Sequence, residues 1–500
     1  MATQPPTPNK PIPNTPTKPS HDITQPTPAT PTSFAAKDPT WHTTHTKSLL
    51  RKIDLHLLPL LITMYLLNFL DRSNLAQARL GTLEADLHMS GPTDFNLATS
   101  ILFVGYLLMQ LPSNLLLTRL RPSVYLGAAM ALWGAISAAQ AGTRSFGDLV
   151  AARFFLGFAE APFFPGAVML LSSWYTRAEL AHRVAWFYSG SSLANAFGGL
   201  VGAGVLGGMD GACGIAGWRW LFVIEGVVTV CVAGVAAVVL PDYPATTGWL
   251  GEEERAYARW RLEEDAGEGD EAGASGIVEG VRMAFRDGRL YVFTLVQHAS
   301  LLSQTFQYFF PSIVQTLGYG RTETLLITAP VWIGTFLVSL AVTYSSGKTG
   351  DRSLHIILLM MVSFVGNVIA TATTNVPARF FAMFLMPMGA VAAYQVILAW
   401  VANSFSRPLV KRSACISFAN MIGNTANIYG PYMYPKTDSP RYIPGGSATA
   451  AVALFVAGMA GIIRLLLARE NSKLQKREEA DPEETNGRVD ERARGFRYIL

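Results

Sequence analysis

The chain has 500 residues, of which 50% are hydrophobic and 15% charged, and its formal net charge is +4. A soluble chain of this size carries about 25% charged residues, so the composition argues against a large cytosolic enzyme. The small net charge gives no basis for nucleic-acid binding. Three widely spaced cysteines, Cys213, Cys231 and Cys415, imply neither a disulfide framework nor a thiolate metal site.

Residues 1–46 are Pro, Thr, Asn, Lys and Ser with almost no large aliphatics, which predicts a disordered tail. The tail lacks a basic start followed by an apolar run, so it does not read as a signal peptide, and the first apolar helix is expected to anchor the chain itself.

After Arg51 and Lys52 come apolar stretches of bilayer length, roughly 20 residues each. Six are predicted at 53–75, 96–118, 122–142, 148–171, 184–207 and 218–240. Six more are predicted at 290–311, 322–344, 354–373, 378–403, 413–434 and 447–468. The expected fold is an all-α membrane protein with twelve transmembrane helices in two six-helix halves. The halves occupy 47–240 and 290–470, a polar cytosolic linker 241–289, and a cytosolic tail 471–500. Within the linker, Leu250 to Asp265 predicts a short amphipathic helix.

The halves carry a weak repeat. Arg119-Leu-Arg121 follows the second span of one half and Lys348-Thr-Gly-Asp-Arg352 that of the other, and Arg153 and Arg379 open the two fourth spans. Repeated halves place a substrate site at their interface near the bilayer midplane. Basic residues flanking the first span, the turn at Arg407, Lys411 and Arg412, and the last span predict that both termini and the linker are cytoplasmic.

An ionisable group inside a span costs about 2.5–3.5 kcal/mol on insertion scales. The informative ones are Asp71 and Arg72 in span one, Arg153 and Glu160 in span four, and Glu225 in span six. At a rise of about 1.5 Å per residue, Asp71 and Arg153 fall in the outer third and Glu160 near the midplane. Arg153, Gly157, Glu160 and Phe164 share one helix face, and Gly157 on that face leaves room for a neighbouring helix or a ligand. Two arginines and two carboxyls at overlapping depths form a neutral cluster. It is either a packing device or a site where Glu160 and Asp71 carry protons. For Glu225, pairing with Arg219 is the expectation. Asn420, Asn424 and Asn427 form one stripe on span eleven, which serves helix contacts or lines the pocket. Trp400 and Asn403 could face the cavity from span ten.

These residues sit in stretches that resemble the major facilitator superfamily, in particular its fungal anion:cation symporter branch of allantoate, nicotinate and pantothenate permeases. The matching stretches include Phe69-Leu-Asp-Arg-Ser-Asn74, Phe103-Val-Gly-Tyr106, Arg153-Phe-Phe-Leu-Gly157 and Glu160-Ala-Pro-Phe-Phe-Pro165. Gly217-Trp-Arg-Trp220, Ala399-Trp400 with Asn403, Gly430-Pro-Tyr432 and the closing Phe496-Arg-Tyr498 also fit. The resemblance implies proton handling at Asp71 and Glu160. It also implies substrate contact or acid pairing at Arg72 and Arg153, a pocket wall at Tyr106, and substrate contact at Gln297. It implies proton-coupled symport of a small organic anion, such as a carboxylate vitamin or ureide, by a monomer in the plasma or vacuolar membrane. No cofactor, metal or nucleic acid is expected, and no HExxH, GxSxG or phosphate-binding loop points to an enzyme. Metabolite efflux on the same fold and a non-transporting nutrient sensor are the competing readings. The basic turn at Arg119 and Gly347, where an acid is usual, depart from the family's cytosolic gate motif.

Overall fold

A computed structural model describes residues 34–117, 120–270, 277–405, 409–480 and 497–500. The expected disorder of 1–33, the part of the expected cytosolic tail at 481–496, and the predicted turns at Arg119 and Arg407 lie outside these residues.

Helices stand at all twelve expected positions. The first half consists of α1 (Pro39–Ala78), α2 (Asp94–Leu117), α3 (Pro122–Ala139), a fourth span in two pieces, α4 (Phe146–Glu160) and α5 (Phe163–Ser172), then α6 (Arg177–Gly208) and α7 (Gly217–Val239). The linker folds as α8 (Glu252–Asp270) and α9 (Ile277–Arg286). The second half has α10 (Gly288–Leu302) continued by α11 (Phe310–Gln315), then α12 (Arg321–Thr349), α13 (Ser353–Ala372) and α14 (Val376–Ser404). It ends with α15 (Leu409–Asn424) continued by α16 (Ala426–Tyr429), and α17 (Ile443–Ala480). Among the described residues, eight helices are long and apolar enough to cross a membrane on length and composition alone. α2, α6 and the two broken spans of the second half each contribute polar side chains to the central cavity.

Local chemistry sets the helix ends. Ser145 and Asp148 form a reciprocal capping box at the start of α4. Asn375 accepts the Ala378 amide at 3.0 Å before α14, and Pro122 occupies a first-turn position of α3, where no amide donor is needed. Continuous spans were expected at 148–171, 290–311 and 413–434, and all three are interrupted. The fourth span turns at Ala161-Pro162 directly after Glu160. In the seventh, Ser303 and Gln304 side chains both bond the Ser300 carbonyl, at 2.7 and 3.1 Å. In the eleventh, Asn424 donates to the Asn420 carbonyl at 2.8 Å and Thr425 to that of Ile422 at 2.6 Å. Side chains that take helix carbonyls compete with the backbone ladder. Pro311 and Pro431, a few residues on, remove further amide donors.

The first helix begins earlier than the composition suggests. Residues 39–46, expected within the tail, are helical because the linker packs on them. Phe34 is buried against Trp41, Tyr257 and Trp260. His42 and Thr46 both meet the Tyr257 hydroxyl, at 3.0 and 2.9 Å. Lys52 pairs with Glu254 at 2.5 Å and Arg261 with Glu179 at 2.6 Å, so α8 is fastened to the first half.

Around the bundle, large apolar side chains such as Leu55, Leu108, Val238, Leu358 and Leu465 point outward, as a hydrocarbon solvent requires. Because the spans alternate in direction, the linker and both ends of the bundle sequence lie at one face. At the opposite face the halves are tied together. Lys436 bonds Glu84 at 2.5 Å, Arg321 meets Asp210 at 3.3 Å, and Asn96 donates to the Pro431 carbonyl at 2.5 Å. Phe95 packs on Phe309 at 5.5 Å beneath these ties, with the Arg79 guanidinium 4.1 Å over the Phe95 ring.

Candidate functional site

A cavity lies between the halves, lined by residues of both. On α1, Tyr65, Asn68, Phe69 and Arg72 line it at i, i+3, i+4 and i+7, one helix face. Phe103 and Tyr106 of α2 and Ser191, Ser192 and Asn195 of α6 complete this wall. The facing wall carries Gln304, Gln307, Tyr308, Tyr394 and the stripe Asn420, Asn424, Asn427. Arg72 is the one cationic side chain that lines the cavity among the described residues.

Arg72 Nε donates to Glu160 Oε2 at 2.6 Å. Its guanidinium lies 5.0 Å from the Tyr106 ring centroid and 5.7 Å from those of Phe69 and Phe103. Glu160 itself is fully buried and stands behind the arginine. A molecule in the cavity therefore meets Arg72 before Glu160, which holds the same guanidinium from the protein side.

The other two members of the expected cluster face away. Adjacent residues on a helix point about 100° apart, so with Arg72 at the cavity Asp71 turns toward α3 and α7. There it accepts from Ser137 Oγ at 2.5 Å and from Thr229 Oγ1 at 3.4 Å. Arg153 is buried and pairs with no carboxylate among the described residues. Its Nη1 and Nη2 reach the backbone carbonyls of Asp71 and Arg72 at 3.3 and 3.4 Å. It clamps α4 to α1 at the turn that carries Arg72.

Of the remaining candidates, Tyr106 and the stripe Asn420, Asn424 and Asn427 line the cavity, and Gln297, Trp400, Asn403, Glu225, Arg219 and Gly157 do not. Gln297 is buried beside Gly423, outside the lining; Gln304 and Gln307, further along the same broken span, take the cavity positions. Trp400 is fully buried. Its Nε1 donates to the Ile499 carbonyl at 2.9 Å and its ring meets Phe293 at 5.3 Å, so it holds the chain's closing residues rather than a ligand. Asn403 is half-buried near the end of α14, away from the cavity. The expected Arg219–Glu225 pair does not form, because six residues on a helix are about 240° apart. Arg219 instead donates to the carbonyls of Ala141 and Thr143. At Gly157 a side chain would strike the Leu102 carbonyl oxygen, so this glycine admits helix α2, not a ligand. The aromatic residues Tyr65, Tyr188, Tyr308 and Tyr394 were not singled out in the sequence. For Tyr65 the signal was its helical spacing from Asn68 and Arg72.

Comparison with known proteins agrees with this architecture. Residues 61–431 match the family described as Major Facilitator Superfamily. The chain belongs to the major facilitator superfamily. It is a multi-pass membrane transporter of that family, not an enzyme. It is 33% identical to the MFS-type transporter cnsO of Penicillium expansum, over 91% of this chain and 90% of that protein. It is 30% identical to an Agrobacterium vitis protein named for tartrate transport, over 84% of this chain and 96% of the relative. Among solved structures it resembles a bacterial homologue of the human lysosomal transporter Spinster in an inward-facing, unoccupied conformation. The TM-score there is 0.64 at 15% identity, covering 81% of this chain and 95% of the other.

Proposed function

We propose that this transporter is a proton-coupled symporter of a small organic anion, acting as a monomer by alternating access. The observation that carries the reading is the Arg72–Glu160 pair at the cavity wall. With Glu160 ionised, the guanidinium is neutralised and a substrate carboxylate gains little. With a proton on Glu160, Arg72 presents an uncompensated charge, and its planar fork suits a carboxylate. Proton binding and anion binding then favour each other. The relative named for tartrate transport agrees with an anionic substrate.

The linker face is taken as cytoplasmic from the basic flanks, with both termini inside and the plasma membrane as the site of action. The ties through Glu84, Asp210 and Asn96 then close the outer face. Inward accumulation needs protons in excess of the anion's charge, since each positive charge entering gains about 2.3 kcal/mol per 100 mV of inside-negative potential.

The test is a flux screen of small carboxylates against their neutral amides in cells or proteoliposomes. Carboxylates are expected to be carried and the amides to be poor substrates. Equal uptake of acid and amide contradicts the reading.

A further inference from the structure

Behind the cavity wall, Asp71 of α1 and Glu225 of α7 are both buried, at 0% and 4% exposure, where these two helices pack together. Thr229, which donates to Asp71 Oδ2, stands one turn beyond Glu225 on the same face of α7. Asn74, one turn beyond Asp71 on α1, is the neighbouring amide. Neither Glu225 oxygen and neither side-chain polar atom of Asn74 has a hydrogen-bond partner at ordinary geometry. Among the described residues neither carboxyl forms an ion pair. The charged groups nearest by are Arg153, which spends its Nη donors on backbone carbonyls, and Glu160, which is bonded to Arg72. From α3 the Ser137 hydroxyl reaches in to Asp71.

Two bare carboxylates buried in one site closed to water each lose much of their solvation and also repel one another. A proton removes both terms. Asp71 accepts two hydroxyl hydrogen bonds, which favour its ionised form, whereas among the described residues no hydroxyl donates to Glu225. We propose that Glu225 is a further proton-carrying residue of the transport cycle, holding a proton that it exchanges with Asp71. In the exchange the O–H bond of Glu225 breaks as one forms on Asp71, and the charge moves from Asp71 to Glu225. With Glu160 this gives the protein two separate proton stations, one at the substrate and one behind it. The inference rests on the proton-coupled reading above, but its first test needs no substrate.

Infrared spectroscopy of the purified, reconstituted full chain at neutral pH reads protonated carboxyls directly. The wild-type protein is expected to show a protonated-carboxyl carbonyl band that persists in Glu160→Gln and is lost in Glu225→Gln. A Glu225→Gln spectrum that superimposes on the wild type overturns the proposal. Should that variant not express, Glu160→Gln protein carrying carboxyl-13C glutamate answers the same question: the band must move with the label, and a band that stays overturns it. In transport, Glu225→Gln is expected to keep substrate counterflow while proton-driven accumulation falls severalfold. Accumulation equal to wild type shows that Glu225 only packs. A wild type that accumulates substrate without protons contradicts proton coupling itself, and the spectrum distinguishes that failure from this one.

Discussion

Arg72 Nε and Glu160 Oε2 stand 2.6 Å apart, with the arginine at the cavity surface and the glutamate sealed behind it. One residue is thus offered to a substrate and its partner is withheld from it. Replacing Glu160 by Gln keeps the shape of the site and removes the competing charge. Glu160→Gln is expected to retain counterflow and to lose uphill accumulation, measured as exchange against net uptake in equally expressed protein. Arg72→Lys keeps the charge but loses the fork, so KM is expected to rise about tenfold, equivalent to about 1.4 kcal/mol, with transport still measurable.

Arg153 has a different task, because it binds the Asp71 and Arg72 carbonyls and no carboxylate among the described residues. A buried charged donor lost from such a pair of bonds costs on the order of 3 kcal/mol. Arg153→Ala is expected to lower thermal stability in detergent clearly and to abolish exchange as well as accumulation. Arg153→Lys, unable to span two carbonyls, should fall between the two. Wild-type stability in Arg153→Ala contradicts the clamp.

The outer tie at Glu84 makes a pH prediction. Burial alone raises its carboxyl, but Lys436 and Arg79 outweigh this and hold it below the usual carboxylate range. A depressed carboxyl stays ionised as pH falls through the ordinary value of about 4.3, so mild external acid leaves the tie closed. Its stabilisation is lost only below that range. Glu84→Gln breaks the tie at every pH. In a protein whose native cysteines are replaced, Phe309→Cys is expected to react severalfold faster from outside when Glu84→Gln is added. An unchanged rate counts against the latch.

Trp400→Phe removes one hydrogen bond to the chain's closing residues and leaves the ring. A stability loss of about 1 kcal/mol with unchanged KM is expected. A raised KM would return Trp400 to the substrate site.

The spans were legible because a bilayer demands long apolar runs, and Arg72 was legible because a buried charge requires a reason. The separation of Asp71 from Arg72 follows from the 100° helical step, yet which of the two meets the cavity depends on how α1 packs against α3 and α7. The break after Glu160 had a sequence signal in Pro162, but those at Ser303 and Asn424 were not legible, since Ser, Thr and Asn bond helix carbonyls only where context favours it. Trp400 was misplaced because its partner, Ile499, is 99 residues away. The early start of α1 depends likewise on Tyr257 and Trp260 of the linker, more than 200 residues from Trp41.

The most direct test of the central claim is simultaneous measurement of substrate and proton flux in proteoliposomes under an inward proton gradient, and in parallel under an inward sodium gradient alone. The account predicts that an organic carboxylate accumulates together with lumenal acidification, and that a protonophore abolishes accumulation while leaving counterflow. Accumulation that ignores the protonophore and follows a sodium gradient instead would contradict it.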